Sequence, residues 1–240
     1  MNATVRAQVT SLRTLRTTFL VPLALVALVA FLTVGTLTQA GSEELSTSAQ
    51  LREPVMAGIG ICVAVGLALL AAARMAGEYR YRTITPRTLA APRRATLLGS
   101  VTLVYAGFAL VVGAVATAVG VGLGQPMAAG KHMTLGLTAA DIGSALLAVV
   151  LLTVIGVATA AIVRSQPATV LLLVGAFFVE RLLSLVLGHL TAYLPYSLLT
   201  PLLGLQGATI SRTTAALTLT GITVAVAAVA AVVVTRRDVT

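Results

Sequence analysis

The sequence contains no tryptophan, a single cysteine and few charged residues. Only 10% of its 240 residues are Asp, Glu, Lys or Arg, and 58% are hydrophobic, whereas a soluble domain is about a quarter charged. No globular core of this size hides so much apolar surface, so the sequence predicts an integral membrane protein. Cys62 has no second cysteine to pair with, which excludes an internal disulfide.

Recognisable catalytic and nucleotide-binding motifs are also absent. The sequence has no HExxH, CxxC or GxSxG pattern. The segment from Gly124 to His132 is the nearest to a phosphate loop, but five residues separate its glycines and His follows its lysine. His132 and His189 lack clustered carboxylates, and ordinary interfacial histidines are favoured over a metal pair. We therefore predict no catalytic residue, metal or cofactor in this chain.

The net charge of +9 comes from fifteen arginines and one lysine. A nucleic-acid partner is not expected, because such proteins need a soluble basic face with stacking aromatics and these arginines are scattered among apolar runs. Topology signals and contacts with anionic lipid explain them better. The preference for Arg over Lys, with abundant Ala, Gly and Val, indicates a bacterial protein from a GC-rich genome.

Six apolar runs are long enough to span a bilayer, which takes about 20 residues. They are Phe19–Leu37, Val55–Ala73, Leu97–Leu123, Ile142–Val163, Ala168–Leu190 and Leu217–Val234. The first could be taken for a signal peptide, but its length and the five runs that follow favour a retained span. Gly120 and Gly124 predict either a helix-packing seam or a helix end that begins to unwind.

The distribution of positive residues predicts the orientation. With the N-terminus inside, twelve of the sixteen Lys and Arg residues fall on the inner side and four on the outer side or near it. The positive-inside rule then places both termini in the cytoplasm. The predicted location is a bacterial plasma membrane, crossed six times.

Two further segments complete the predicted fold. Residues 1–18 carry apolar side chains at helical spacing with arginines on another side, which predicts an amphipathic helix in the cytoplasmic interface. Residues 191–216 are apolar but broken by Pro195, Pro201 and Gly204, which predicts a re-entrant segment on the outer side. The fold class is thus all-α, a single transmembrane domain of six helices with these two additions.

Glu180 and Arg181 lie within the fifth predicted span. Charges inside a bilayer are costly unless they are paired or hydrated, so both are candidates for an intramembrane or gating role. Two placements remain open: near the middle of the membrane, or higher, in a wet outer vestibule.

The connection between spans two and three, residues 74–96, carries six arginines. Its runs GEYRYRTI (residues 77–84) and TLAAPRR (residues 88–94) resemble the cytoplasmic loop of type-2 ABC transporter permeases, as does the ending Arg236-Arg237-Asp238-Val239. The layout of six spans with a broken outer segment resembles that family as well. Arg82 departs from the pattern, because many members have Gly there.

The resemblance implies the transmembrane subunit of an ATP-driven exporter of hydrophobic or amphipathic cargo, such as a drug, natural product or lipid. It implies a cytosolic ATP-binding subunit, which would hold ATP and Mg, and a second permease subunit, identical or related. Residues 74–96 would be the coupling loop. The implied contacts with the ATPase are Glu78, Tyr79, Arg80, Arg82, Thr83, Arg87, Arg93 and Arg94.

Two other classes of membrane protein are alternatives. An ion-gradient-driven secondary transporter normally shows inverted repeats or paired broken helices with several ionisable residues, and no convincing repeat is visible here. A membrane-embedded enzyme would need a catalytic constellation, and none is recognisable.

Overall fold

The computed structural model describes residues 16–38, 48–80, 94–130 and 132–236. In these ranges the chain forms helices and turns without a β-strand. Six of the helices are long and apolar enough to cross a membrane. The prediction of an all-α chain with six long apolar helices is therefore confirmed for the described residues, and these helices suit a multi-pass membrane protein. The predicted amphipathic helix lies outside the described residues up to residue 15.

Eight α-helices, one π-helical turn and one 3-10 helix are formed by the described residues. In chain order they are α1 (Arg16–Thr38), α2 (Ser48–Ala57), a π-helical turn (Gly58–Val63), α3 (Ala64–Arg80), α4 (Arg94–Ala129), α5 (Ala139–Val163), α6 (Gln166–Leu187), a 3-10 helix (Gly188–Tyr193), α7 (Leu199–Leu202) and α8 (Arg212–Arg236). Because α2, the π-helical turn and α3 are continuous, they form the second of the six long apolar segments.

The alternation of direction gives the bundle two distinct ends. At one end lie the starts of α2, α5 and α8 together with residues 188–211; we call it the capped end. At the other lie the end of α3, the start of α4, the α5–α6 connection and the end of α8; we call it the basic end. The two sites described below lie at these ends.

Five of the six long helices extend beyond the predicted spans, and α6 ends at Leu187, before the predicted Leu190. The second predicted span covered residues 55–73, whereas helical structure runs from Ser48 to Arg80. α4 continues to Ala129, so its glycines do not mark an unwinding end. A Cβ at Gly120 would touch Ile59, and one at Gly124 would run into Leu135. These glycines therefore form the packing seam that was one of the two alternatives.

α3 and α5 form the centre of the bundle. Of the most apolar stretch of α5, 67% is buried, against 11% for α6 and 17% for α8. The two central helices meet so closely that a Cβ at Gly156 would overlap the backbone of Ala68. Small residues permit this approach, and van der Waals packing is what holds helices together in a bilayer. The peripheral helices present large apolar side chains outward, as a lipid-facing surface requires.

Residues 194–205 lie over the capped end and pack into the same core. Leu198, Leu199, Leu202 and Leu203 are fully buried there. Leu203 occupies space that a side chain at Gly60 would fill, within the π-helical turn. The segment is thus broken and packed against protein, as its prolines and apolar residues indicate; its depth in a membrane stays a prediction.

Candidate functional sites at the two ends of the bundle

Asp141 is the centre of a polar cluster at the capped end. Thr138 caps α5 in an extended conformation, and its hydroxyl accepts a hydrogen bond from the Asp141 amide at 3.3 Å. Oδ2 of Asp141 accepts in return from the amide of Thr138 at 2.9 Å and its hydroxyl at 2.8 Å. This capping box fixes the carboxylate on α5 and leaves Oδ1 for partners on other helices.

Two arginines from two other helices meet at Oδ1. Nη2 of Arg212, at the start of α8, lies 2.6 Å from Oδ1, and Nη2 of Arg52, in α2, lies 3.2 Å from it. The Asp141 side chain is 1% exposed, while Arg52 and Arg212 keep 24% and 34% of their side chains exposed. We call Arg52, Asp141 and Arg212 the arginine clamp. It joins the second, fourth and sixth long apolar segments at one point.

The arginine clamp also holds the covering segment. Arg52 donates to the carbonyl of Leu203 at 3.5 Å. Gly204 has a φ of +64°, and a Cβ there would lie 2.6 Å from a terminal nitrogen of each arginine. Glycine is thus required both by the backbone conformation and by the space. Beside it, Oε1 of Glu53 accepts from the amide of Gln206 at 3.0 Å.

Glu180 binds the same covering segment from α6. Its side chain is 7% exposed, and Oε2 accepts from the amides of Tyr196 at 2.9 Å and Ser197 at 3.0 Å. The Ser197 hydroxyl lies 3.4 Å from the same oxygen. The two backbone amides have no hydrogen-bond partner within the covering segment, and Glu180 supplies one to both. The carboxylate is therefore buried with hydrogen-bond donors of its own.

Tyr196 anchors the segment further along α6. Its hydroxyl donates to the carbonyl of Leu173 at 3.0 Å, and its ring meets Phe177 edge-on with centroids 5.4 Å apart. Burial, and then the charge of Glu180, raise the pKa of Tyr196 to about 12. The hydroxyl therefore stays protonated near neutral pH and remains a donor.

Glu180 and Arg181, the two predicted intramembrane charges, have different surroundings. Glu180 lies seven residues before the end of α6 at Leu187, about 10 Å along the helix axis, and is buried. Arg181 is exposed and borders a cavity of about 470 Å³ at the capped end. The depth of Glu180 and Arg181 in a membrane stays a prediction, and both placements stay open.

At the basic end, Tyr79 meets Arg164. Glu78 and Tyr79 lie in the last turn of α3, and Arg164 follows α5 in a left-handed conformation with φ of 57°. The guanidinium carbon of Arg164 lies 5.4 Å from the centre of the Tyr79 ring, a cation–π distance. The α5–α6 connection is thereby tied to the end of α3, where the predicted coupling loop begins.

The other six residues of the predicted ATPase contact lie wholly or partly outside the described part of the chain. The backbones of Arg80 and Arg94 end α3 and begin α4, and their side chains lie outside the described part of the chain. Arg82, Thr83, Arg87 and Arg93 lie outside the described residues altogether. Glu78 and Tyr79 thus lie at the basic end of the bundle, whereas Glu180 and Arg181 lie at the capped end.

Sequence reasoning missed the arginine clamp. One signal was present, because Thr138 and Asp141 have the capping-box spacing ahead of an apolar run. Arg52 and Arg212 were counted as outer cations, but nothing in the sequence pairs residues that lie 71 to 160 positions apart.

No protein-family model matches this sequence, and no curated protein shows significant similarity to it.

Proposed function

We propose that this chain is the permease subunit of an ATP-driven exporter, with ATP hydrolysis in a separate cytosolic subunit. The observation that carries the proposal is the resemblance of residues 77–94 to the coupling loop of type-2 ABC permeases. It is supported by the six long apolar helices and by a covered end opposite the loop. In this proposal the basic end faces the cytosol and the capped end faces outward.

The orientation rests on the distribution of charge. Twelve of sixteen Lys and Arg residues belong to the N-terminal side of the first span or to segments on the same side. Such segments are retained in the cytoplasm. Residues 78–94 then lie where a cytosolic ATPase can contact them, and the clamp and Glu180 lie where cargo leaves.

The second long apolar segment provides a route between the two ends. Its basic end carries Glu78 and Tyr79, and its capped end carries Arg52. α3 packs on α5 through Ala68 and Gly156 without intervening side chains. A shift of α3 imposed by the ATPase is therefore transmitted to the arginine clamp, while the π-helical turn gives the segment a place to change its hydrogen-bond register.

The proposed working unit contains two permease subunits and two ATPase subunits. α6 is the least buried of the long helices, and its exposed apolar side chains suit either lipid or a second permease. The large ones are Leu171, Leu172, Phe178, Val179, Leu182, Leu185, Val186 and Leu187. Cargo that moves between such surfaces is hydrophobic or amphipathic.

An ion-gradient-driven transporter is the second candidate. The observation that favours it is Glu180, because a buried carboxylate on a membrane helix is a typical proton-carrying group. Its Oε2 atom accepts from two backbone amides of the covering segment, an arrangement that favours holding a gate in place.

Purification of the tagged chain from its native membrane tests the proposal. An ATP-binding subunit should co-purify in a fixed ratio, the complex should hydrolyse ATP, and the isolated chain should bind no nucleotide. Transport driven by a proton or sodium gradient, by the isolated chain in vesicles without ATP, would establish the second candidate instead.

A variant pair tests the coupling loop. Glu78→Ala combined with Arg80→Ala should leave insertion intact and weaken assembly or ATP-driven transport, since both side chains belong to the proposed ATPase contact. Arg236→Gln, which removes a charge at the same end outside residues 78–94, is the matched control. Undiminished transport by the double variant at equal expression would refute the assignment.

A further inference from the structure

The cavity at the capped end has a polar wall with both signs of charge. It has a volume of about 470 Å³, within the size range of small-molecule sites. Among the described residues, its polar lining comprises one cation, one carboxylate, one amide and five hydroxyls: Arg181, Glu53, Gln206, Ser184, Thr191, Ser197, Thr200 and Thr209. This composition fits a compact polar ligand that itself carries both charges.

Arg181 needs an anion. It lies six residues before the end of α6, about 9 Å along the axis of a membrane-spanning helix. Its side chain is exposed and forms no salt bridge among the described residues. The neighbouring Glu180 interacts with it electrostatically, but that carboxylate is hydrogen-bonded to the amides of Tyr196 and Ser197. An arginine at this depth is costly unless it reaches the interface or finds a counter-charge. A phosphate group is the anion that a lipid surface supplies there.

The helix surface next to Arg181 is apolar. Leu185, one turn further along α6, is 83% exposed, and Leu182 and Val186 are 65% and 81% exposed. A ligand whose phosphate meets Arg181 from the bilayer therefore lays its apolar part along these side chains. A soluble phosphate compound would leave this surface unused. The geometry favours an amphiphile of the leaflet at the capped end.

Glu53 gives the site a preference for the rest of the headgroup. Only Oε1 is engaged, by the amide of Gln206, and no described residue bonds to the other oxygen. A primary ammonium group has three donors to offer to this carboxylate and to the threonine hydroxyls. A quaternary ammonium has none and is recognised by aromatic faces, and none of the described residues that line the cavity is aromatic.

We propose that this cavity binds the phosphoethanolamine headgroup of a zwitterionic phospholipid, with the phosphate at Arg181 and the ammonium group at Glu53. The acyl chains lie along Leu182, Leu185 and Val186 of α6. The inference concerns binding to this chain and holds whether or not the lipid is exported.

Native mass spectrometry of the purified full-length chain tests the site. The chain is incubated with equal amounts of phosphatidylethanolamine, phosphatidylcholine and phosphatidylglycerol of the same acyl composition. Wild type should retain one phosphatidylethanolamine in preference to the other two. Arg181→Gln should weaken that binding about tenfold or more, because a charge-assisted contact is lost, and Arg181→Lys should recover part of it.

Further variants and a soluble ligand make the test specific. Glu53→Gln keeps an acceptor for Gln206 and should abolish the preference for ethanolamine over choline. Arg236→Gln, at the far end of α8, should bind like wild type. Equal phosphatidylethanolamine binding by wild type and Arg181→Gln would overturn the proposal. So would a preference for phosphatidylglycerol, or equally tight binding of free glycerophosphoethanolamine, which lacks acyl chains.

Discussion

At the scale of single residues, two buried carboxylates hold the capped end in different ways. Asp141 receives two guanidinium groups from other helices, whereas Glu180 receives two backbone amides from one segment. Glu180 was predictable as a candidate, because a charge within an apolar run stands out. Asp141 was not, because it lies at a helix start, where carboxylates are common, and its partners are brought to it only by packing.

Arg212 should contribute to stability only through the arginine clamp. It lies at the start of α8, where the helix dipole disfavours a cation, and it contacts the buried Asp141 at 2.6 Å. Arg212→Gln should lower the free energy of unfolding by about 1–3 kcal/mol, below the cost for a fully buried pair because a third of the side chain is exposed. Thermal melting in detergent measures this.

The control for this prediction lies on the same helix. Arg236 closes α8 in solvent, so Arg236→Gln removes the same charge without breaking a buried contact. Its effect should be within about 0.5 kcal/mol. Equal melting temperatures for Arg212→Gln and wild type would show that the contact between Arg212 and Asp141 contributes nothing to the stability of the fold.

Glu180 should determine how firmly the covering segment is held. Glu180→Gln keeps an acceptor for the amides of Tyr196 and Ser197 but loses charge assistance, while Glu180→Ala leaves both donors without a partner. Local opening should become about tenfold more frequent in the first variant and about a hundredfold in the second. Hydrogen exchange of residues 194–199 measures it, with α5 as internal reference.

A transport assay of the same two Glu180 variants measures the effect on function. Export should be lost or altered in both Glu180 variants while insertion stays normal. If both variants export like wild type and their exchange is unchanged, Glu180 is an ordinary interfacial residue.

At the scale of elements, hydropathy located all six long helices but not their ends. Five of them extend beyond the predicted bounds, whereas α6 ends at Leu187, before the predicted Leu190. The six were predictable because a lipid-exposed chain must satisfy its backbone groups within each helix. The ends were not, because helices continue where apolarity stops: Arg74 to Arg80 extends α3, and Gln125 to Ala129 extends α4. The π-helical turn at Gly58–Val63 has no sequence signature of its own. It depends on neighbours such as Leu203 that fill the space beside it.

The contact between α3 and α5 should tolerate no added methyl group at Gly156. Gly156→Ala would place a Cβ against the backbone of Ala68, so the two central helices would have to separate. We expect the variant to be destabilised by about 1–3 kcal/mol, since backbone cannot yield as a side chain can. Thermal melting in detergent and the yield of folded protein are the measurements.

Gly143 on the same helix is the matched control. It is exposed, and no other atom lies within 4 Å of a Cβ there. Gly143→Ala should be neutral or stabilising by up to about 1 kcal/mol, because Ala favours helix more than Gly does. If Gly156→Ala melts as Gly143→Ala does, α3 and α5 are less closely packed than described.

At the scale of the whole molecule, the charge and the fold divide the chain into two ends with different chemistry. The capped end is closed by carboxylates bound to guanidinium and amide groups. The basic end carries the half-buried turn of Glu78 and Tyr79, beside Arg164. Between them, α3 and α5 form a close-packed centre. In the proposed exporter, a movement starts at the ATPase contact on the basic end, passes through α3 and α5, and reaches the covering segment at the capped end.

The most direct test follows the capped end while ATP is hydrolysed at the other. Thr200, which lines the cavity, is replaced by Cys after Cys62, the single cysteine, is replaced by Ser. A membrane-impermeant maleimide added outside intact cells should label Thr200→Cys. In the purified complex, ATP turnover should raise the labelling rate, and Glu78→Ala with Arg80→Ala should abolish that rise. Labelling only from the cytosolic side, or a rate indifferent to ATP in the intact complex, would contradict the account.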